Sequence, residues 1–294
     1  MMIRMSMGYR VFNAFNILFL VALSFACLLP IIHILAISFS GSSEAGAGLV
    51  SLWPVGFTTS SYEFILKKPE FLTSIGVTLQ RVALGTVVGM LITLLVAYPL
   101  SKETHAFRMR TIYAWAFVFT ILFNGGLIPW YMTIKWTGIM DTIWALVLPG
   151  AVPVFNIILL LNFFRGLPKE LEESASIDGA GHWTTLWRIY APLSMPAIAT
   201  IMLFTIVNHW NSWFDGLILM KSHDNYPLST YLQTILVRMD LTSVTGEALN
   251  NLREVSDRTA KAAQIFVGAL PIMLVYPFLQ RYFVKGIVMG SVKE

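Results

Sequence analysis

GLPKELEESASIDGAGHWTTLWRIYAPLSMP, residues 166–196, is the one long charged interruption deep in the sequence. The apolar runs on either side are each long enough to cross a bilayer, so this stretch must be presented on one side of a membrane. Locally it reads as two short helices with a break between them. Pro168 suits a first turn, where its missing N–H has no partner anyway, and Glu170, Glu172 and Glu173 crowd the positive end of the helix dipole. Asp178-Gly179 ends that helix. Beyond it, Trp183, Leu186, Trp187 and Tyr190 fall at i, i+3, i+4 and i+7, which predicts one aromatic face that anchors the second helix on the spans. Pro192 is expected to close that helix. An amphipathic pair held at a membrane face reads as a partner-docking element.

Composition agrees. The chain has 294 residues, 56% hydrophobic and 12% charged, with a mean hydropathy of +0.69, which is too apolar for an ordinary soluble domain. The net charge of +4 is spread over several loops and leaves no nucleic-acid footprint. A single cysteine, Cys27, excludes disulfide and zinc frameworks, and no metal site is expected.

In chain order, the apolar runs predict an all-α membrane protein with six transmembrane helices at about 15–39, 76–100, 112–132, 142–164, 197–220 and 262–283. The first run is too long for a signal-peptide core and lacks a small-residue cleavage site, so it is expected to stay as a span. Gly85 and Gly89 form a small-xxx-small pair suited to close helix approach, and Arg81 is expected to snorkel to the interface. Asn124-Gly125-Gly126 followed by Pro129 predicts a bend in the third span. Arg4 and Arg10, Lys102, Arg108 and Arg110, then Arg165, Lys169 and Arg188 fall on one side of this topology, which puts residues 166–196 and both termini in the cytoplasm by the positive-inside rule. Residues 221–261 then form a long outer segment.

Span five carries Asn208, Asn211, Ser212 and Asp215 at i, i+3, i+4 and i+7, one polar stripe on a helix, with Trp210, Trp213 and Phe214 beside it. Amides and a carboxylate next to an aromatic wall suit a polyhydroxylated substrate, so Asn208, Trp210, Asn211 and Asp215 are candidates for a translocation path. The same residues also fit helix–helix packing and an interfacial aromatic belt. Asn156 and Asn162 in span four read as packing residues. The chain has no G-x-x-x-x-G-K-[ST], H-E-x-x-H or G-x-S-x-G pattern, so it is not expected to bind ATP or act as an enzyme by itself. A self-contained secondary transporter or channel is the alternative, and it needs paired intramembrane charges or broken helices.

Glu173-Ser174-Ala175, then Asp178-Gly179-Ala180, then Ile189 and Pro192, resemble the coupling-loop signature of permease subunits in bacterial binding-protein-dependent ABC importers. The signature's second position is usually Ala and here is Ser174. The resemblance implies the type I ABC importer permease fold, with these eight positions seated in a cytoplasmic ATPase as a coupling helix. It also implies a second homologous permease, two ATPase subunits that bind ATP and Mg, and an extracytoplasmic solute-binding protein touched by residues 221–261. The location implied is the bacterial cytoplasmic (inner) membrane. Trp210-Asn211, the turn Asn124-Gly125-Gly126-Leu127-Ile128-Pro129 and the ending Tyr276-Pro277-Phe278-Leu279-Gln280-Arg281-Tyr282-Phe283-Val284-Lys285-Gly286 are similar to the carbohydrate-uptake, maltose-importer-like branch. Within it the ending and the Asn124–Pro129 turn look most like permeases for oligosaccharides from complex polysaccharides such as alginate or pectin.

Overall fold

The computed structural model describes residues 7–242 and 258–278, and every regular element among them is a helix. Arg4, residues 243–257 of the long polar segment, and the chain from 279 onward, which holds the end of the expected sixth span and most of the family-like ending, lie outside the described residues. The chain divides into two compact units, Met1–Pro69 with Ile235–Leu270 and Glu70–Thr234 with Pro271–Glu294.

The first unit begins with α1 (Met7–Ser38), apolar all round and exposed as far as Ile32, with His33, Ile34 and Leu35 half-buried and Ala36, Ile37 and Ser38 buried at its end. A helix with no polar face has no partner in water, so its surroundings are lipid or protein. Two short helices follow, α2 (Ser42–Gly46) and α3 (Ser60–Leu66). Polar side chains tie this segment to the end of α1. The Ser40 hydroxyl donates to the Ala36 carbonyl at 2.6 Å and accepts the Val55 N–H at 3.0 Å, and His33 Nδ1 lies 2.6 Å from the Ser51 carbonyl. Tyr62 and Ser38 share a hydrogen bond of 2.7 Å.

The second unit contains α4 (Pro69–Ser101), a single long apolar helix. The pair α5 (Arg110–Leu122) and α6 (Leu127–Trp136) follows, bent by 113°, and then α7 (Ile143–Gly150) and α8 (Val154–Arg165), bent by 46°. The bend between α5 and α6 has a local cause. Gly126 sits at φ +88°, open to glycine and strained for other residues, and its N–H donates to the Asn124 side chain at 2.9 Å. Next come α9 (Glu170–Ile177), α10 (His182–Leu193), α11 (Met195–Asn211) and α12 (Phe214–Leu219), with an 82° turn between α10 and α11. α13 (Leu228–Thr242) and α14 (Arg258–Phe278), each divided between the two units, complete the described chain. Three helices, α1, α4 and α14, are long and apolar enough to cross a membrane, and the count rises to six if each bent pair is one span.

Two expectations are corrected. The fifth apolar stretch is broken: α11 stops at Asn211, Ser212 and Trp213 are non-helical, and α12 starts at Phe214. Pro192 does not close its helix. The chain widens into a π turn over Leu186–Tyr190, so the missing N–H of Pro192 falls where the regular ladder is already interrupted, and α10 runs on to Leu193.

One buried core joins α4 (Met90, Leu94, Tyr98), α8 (Ile157, Leu160, Phe164), α10 (Leu186, Tyr190) and α11 (Ile198, Ile201). A second gathers Ile134, Leu146, Leu219, Met220 and Tyr226.

Candidate docking surface and translocation stripe

The break in residues 166–196 is a Schellman motif. The Ala180 N–H donates to the Ala175 carbonyl at 2.9 Å and the Gly179 N–H to the Ser176 carbonyl at 3.1 Å, with Gly179 at φ +78°. A Cβ built on Gly179 meets nothing within 4 Å, so the glycine is required by backbone geometry and faces open space. Glu173, Ser174, Asp178, Gly179 and Pro192 are exposed, Ala180 and Ile189 are half-buried, and Ala175 is buried. The Ser174 hydroxyl turns back to the Glu170 carbonyl at 2.7 Å, so serine presents nearly the same outer surface there as alanine.

The anchoring face differs from the expectation. Leu186 and Tyr190 are buried, but Trp183 is 67% exposed and Trp187 44% exposed. The π turn changes the angular spacing, so a 3.6-residue count through it no longer predicts which side chains share a face. Tyr190 packs edge-on against Tyr98 of α4, with ring centroids 5.1 Å apart, and against Phe164 of α8 at 5.3 Å.

Sequence reasoning missed a polar clasp beneath these rings. Lys102 Nζ donates to Glu172 Oε1 at 2.6 Å, the Tyr190 hydroxyl donates to Glu172 Oε2 at 2.7 Å, and the Lys102 ammonium lies 4.0 Å from the Tyr98 ring centroid. Burial pushes the Glu172 carboxyl up, yet the bonds from Lys102 and Tyr190 bring it below its ordinary value. Burial likewise pushes the Lys102 ammonium down, against the pull of Glu172. Lys169 pairs with Glu103 on the surface. Ile177, 86% exposed, is a second omission: one isoleucine at the end of a helix made largely of glutamate and serine carries no periodic signal, and only its solvent exposure marks it.

The polar stripe of the fifth span is divided by the helix break. Asn208 and Asn211 are exposed on the last turn of α11, whereas Trp210 is buried and does not join an open aromatic wall. Asp215 is committed elsewhere. Arg81, expected to snorkel, is buried, with its side chain only 3% exposed, and ion-pairs with Asp215. Its Nη1 donates to Asp215 Oδ1 at 3.2 Å and to the Ser212 carbonyl at 3.2 Å. Asp215 Oδ1 also accepts the Ser212 hydroxyl at 3.0 Å and the Gly216 N–H at 2.9 Å. The break itself is satisfied by the segment after it, since Ser229 Oγ donates to the Trp210 carbonyl at 2.6 Å and Thr230 Oγ1 to the Trp213 carbonyl at 2.8 Å. The small-residue pair on α4 faces α11: Gly85 lies against His209 and Gly89 against Thr205, whose hydroxyl accepts from Asn156 of α8 at 3.2 Å.

Comparison with known proteins places this architecture. The chain is 40% identical over 284 residues to Protein LplC of Bacillus subtilis, covering 97% of this chain and 95% of that one. It is 36% identical to the polygalacturonan/rhamnogalacturonan transport system permease protein YtcP of the same organism, over 98% and 100% of the two chains. A chain from the crystal structure of a bacterial ABC transporter involved in the import of the acidic polysaccharide alginate superposes with a TM-score of 0.85 at 30% identity, covering 95% of this chain and 99% of that one. The fold is thus all-α, that of an ABC importer permease, and its apolar helices allow up to six membrane passes. Residues 89–289 match the family described as binding-protein-dependent transport system inner membrane component, and the chain belongs to that family.

Proposed function

We propose that this chain is the membrane-spanning permease subunit of an ATP-driven importer that takes up oligosaccharides handed over by a solute-binding protein. Acidic oligosaccharides of the alginate or pectin type are the substrates best supported, because one relative is named for polygalacturonan and rhamnogalacturonan transport and a similar solved structure comes from an alginate importer. The observation that carries the reading is the mechanical attachment of α9 and α10. α10 shares a core with α4, α8 and α11, and α9 is tied to it through Glu172, which takes Lys102 and Tyr190, while Glu173, Asp178 and Gly179 face outward. A force on the exposed side therefore reaches α4 and α8 through Tyr190, Tyr98 and Phe164.

In this reading residues 166–196 lie in the cytoplasm with both termini, as the basic residues require, and residues 221–261 face outward toward the binding protein. Glu173, Ser174, Ala175, Asp178, Gly179, Ala180, Ile189 and Pro192 seat in an ATPase subunit. ATP and Mg are held by two such ATPases, and a second permease completes the path. Asn208 and Asn211 line that path, where amides offer donors and acceptors to sugar hydroxyls. Trp210 and Asp215 hold the broken helix that presents them.

The test is Gly179→Asp in the assembled complex. Membrane insertion is expected to be intact, because the strain of a side chain at φ +78° falls on an exposed turn outside the spans, and binding-protein-stimulated ATP hydrolysis is expected to be lost. Normal stimulation overturns the coupling role.

The buried Arg81–Asp215 pair at a helix break is the feature a self-contained secondary transporter would use. Transport by the isolated chain in liposomes, without nucleotide, is the outcome that favours that alternative. The pair is closed on itself, which fits a structural tie better than a site that takes up an ion.

A further inference from the structure

Beside the docking pair, a cavity of about 600 Å³ opens between the 101–110 connection, the end of α8 and the start of α9. Its walls carry both signs of charge, but the carboxylates are mostly engaged. Glu103 is held by Lys169 and His105, and Glu172 by Lys102 and Tyr190. Two guanidiniums on the same wall bond only to backbone carbonyls, although Arg110 also lies within the field of Glu103. Arg110 donates to the Lys102 carbonyl at 2.7 Å and Arg165 to the Leu100 carbonyl at 3.2 Å, and neither is in an ion pair among the described residues. Arg110 Nε is buried without a hydrogen-bond partner. Burial and the neighbouring Arg110 both oppose the charge on Arg165, so the two cations repel each other. Glu173 is the remaining carboxylate of the wall.

We infer that Arg110 and Arg165 form a binding site for a phosphate group, and that its occupant is the headgroup of an anionic phospholipid. Two forked donors aimed into one cavity match the oxygens of a phosphodiester. The lipid source is favoured by what adjoins the site. Arg110 is the first residue of α5, a helix with no buried residue, on which Ile112, Trp115 and Phe119 are 60% or more exposed. A phosphate in the cavity thus has an apolar helix surface running away from it, along which acyl chains lie. A basic pocket where spans meet a membrane face is the usual setting for such a headgroup. Because Glu172 and Tyr190 line the same cavity, an occupied site braces the base of the docking pair. The inference rests on the reading of α4, α5 and α8 as spans that end at this face.

The experiment uses the assembled transporter, purified in detergent and supplied with phosphatidylglycerol or phosphatidylcholine, with retained lipid counted by native mass spectrometry. Wild type is expected to retain phosphatidylglycerol selectively. Arg110→Gln with Arg165→Gln is expected to weaken that retention about 30-fold, the loss of two charge contacts to a headgroup. Arg108→Gln removes a charge from the same connection without touching the cavity and is expected to change nothing. Should the double Gln variant fail to assemble, Arg110→Lys with Arg165→Lys carries the test: it keeps the charge, loses the fork, and is expected to give an intermediate loss. Unchanged retention in either double variant overturns the site. Saturation by inorganic phosphate with no preference between the two lipids overturns the lipid assignment, and so does a cross-link from position 110 to a partner subunit. Binding-protein-stimulated ATP hydrolysis is measured on the same preparations. Its absence in wild type counts against the importer reading and leaves the lipid count standing.

Discussion

The guanidinium of Arg81 grips both carboxylate oxygens of Asp215, a residue 134 positions later in the chain, at the point where the fifth apolar stretch stops being helical. The same guanidinium takes the Ser212 carbonyl, which the break leaves without a helical partner. A charge pair buried among spans is costly to assemble and more costly to halve.

Asp215→Ala is therefore expected to destabilise the folded protein by about 3–5 kcal/mol, because it leaves the buried Arg81 guanidinium without its countercharge, and Arg81→Ala by less, because Asp215 is partly exposed and keeps the Ser212 hydroxyl and the Gly216 N–H. Arg81→Met combined with Asp215→Leu is expected to recover most of that loss. Thermal unfolding of the purified protein in detergent, with the single and double variants side by side, checks this. Additive losses in the double variant would remove the ion pair from the account.

Gly85→Ala is expected to cost about 1–3 kcal/mol by overpacking. A Cβ at that position falls 2.3 Å from His209 Nε2. The cost should largely vanish in a His209→Ala background. Gly89→Ala, whose Cβ meets only Thr205 Cγ2 at 3.8 Å, should be nearly neutral. Assembly yield and melting temperature of the three variants separate these cases.

The clasp under the docking pair carries a pH dependence with a definite sign. The folded-state pKa of Glu172 lies below its ordinary value of 4.5. Its contribution is thus fully present above 4.5 and is lost as pH falls through the lower folded value. Amide exchange across residues 170–190 should quicken in that acid window in wild type. In Glu172→Gln it should already be faster at neutral pH, by roughly 1–2 kcal/mol of local stability given the partial exposure of the group, and should show no acid step.

Ile177 and Trp183 stand 86% and 67% exposed on the docking pair. Replacing either by alanine should leave thermal stability within about 0.5 kcal/mol, as surface changes do. The affinity for the ATPase subunit should fall by about 2 kcal/mol if these are its anchoring contacts. Pull-down of the ATPase by each variant, calibrated against wild type, measures the difference.

Much of the docking pair was legible because its signals are local. Pro168, three glutamates and Asp178-Gly179 act within a turn or two of themselves, and the Schellman break at Gly179 follows from them. The bend after α5 was legible for the same reason, through Asn124 and Gly126. The Gly85–Gly89 pair announced a close helix contact without saying with what. The face of α10 was misread because a π turn changes the angular count without changing composition.

By itself the sequence determined an all-helical membrane chain, the place of its long charged interruption and the local break inside it, since apolar run length, charge and turn chemistry depend only on neighbours in the chain. Only the tertiary structure decided that Arg81 is buried on Asp215, that Glu172 is clasped by Lys102 70 residues earlier, and that Ser229 and Thr230 mend the break after Asn211. Those contacts join residues far apart in sequence, and whether a charge among apolar residues reaches the interface or finds a partner is settled by which helices pack together.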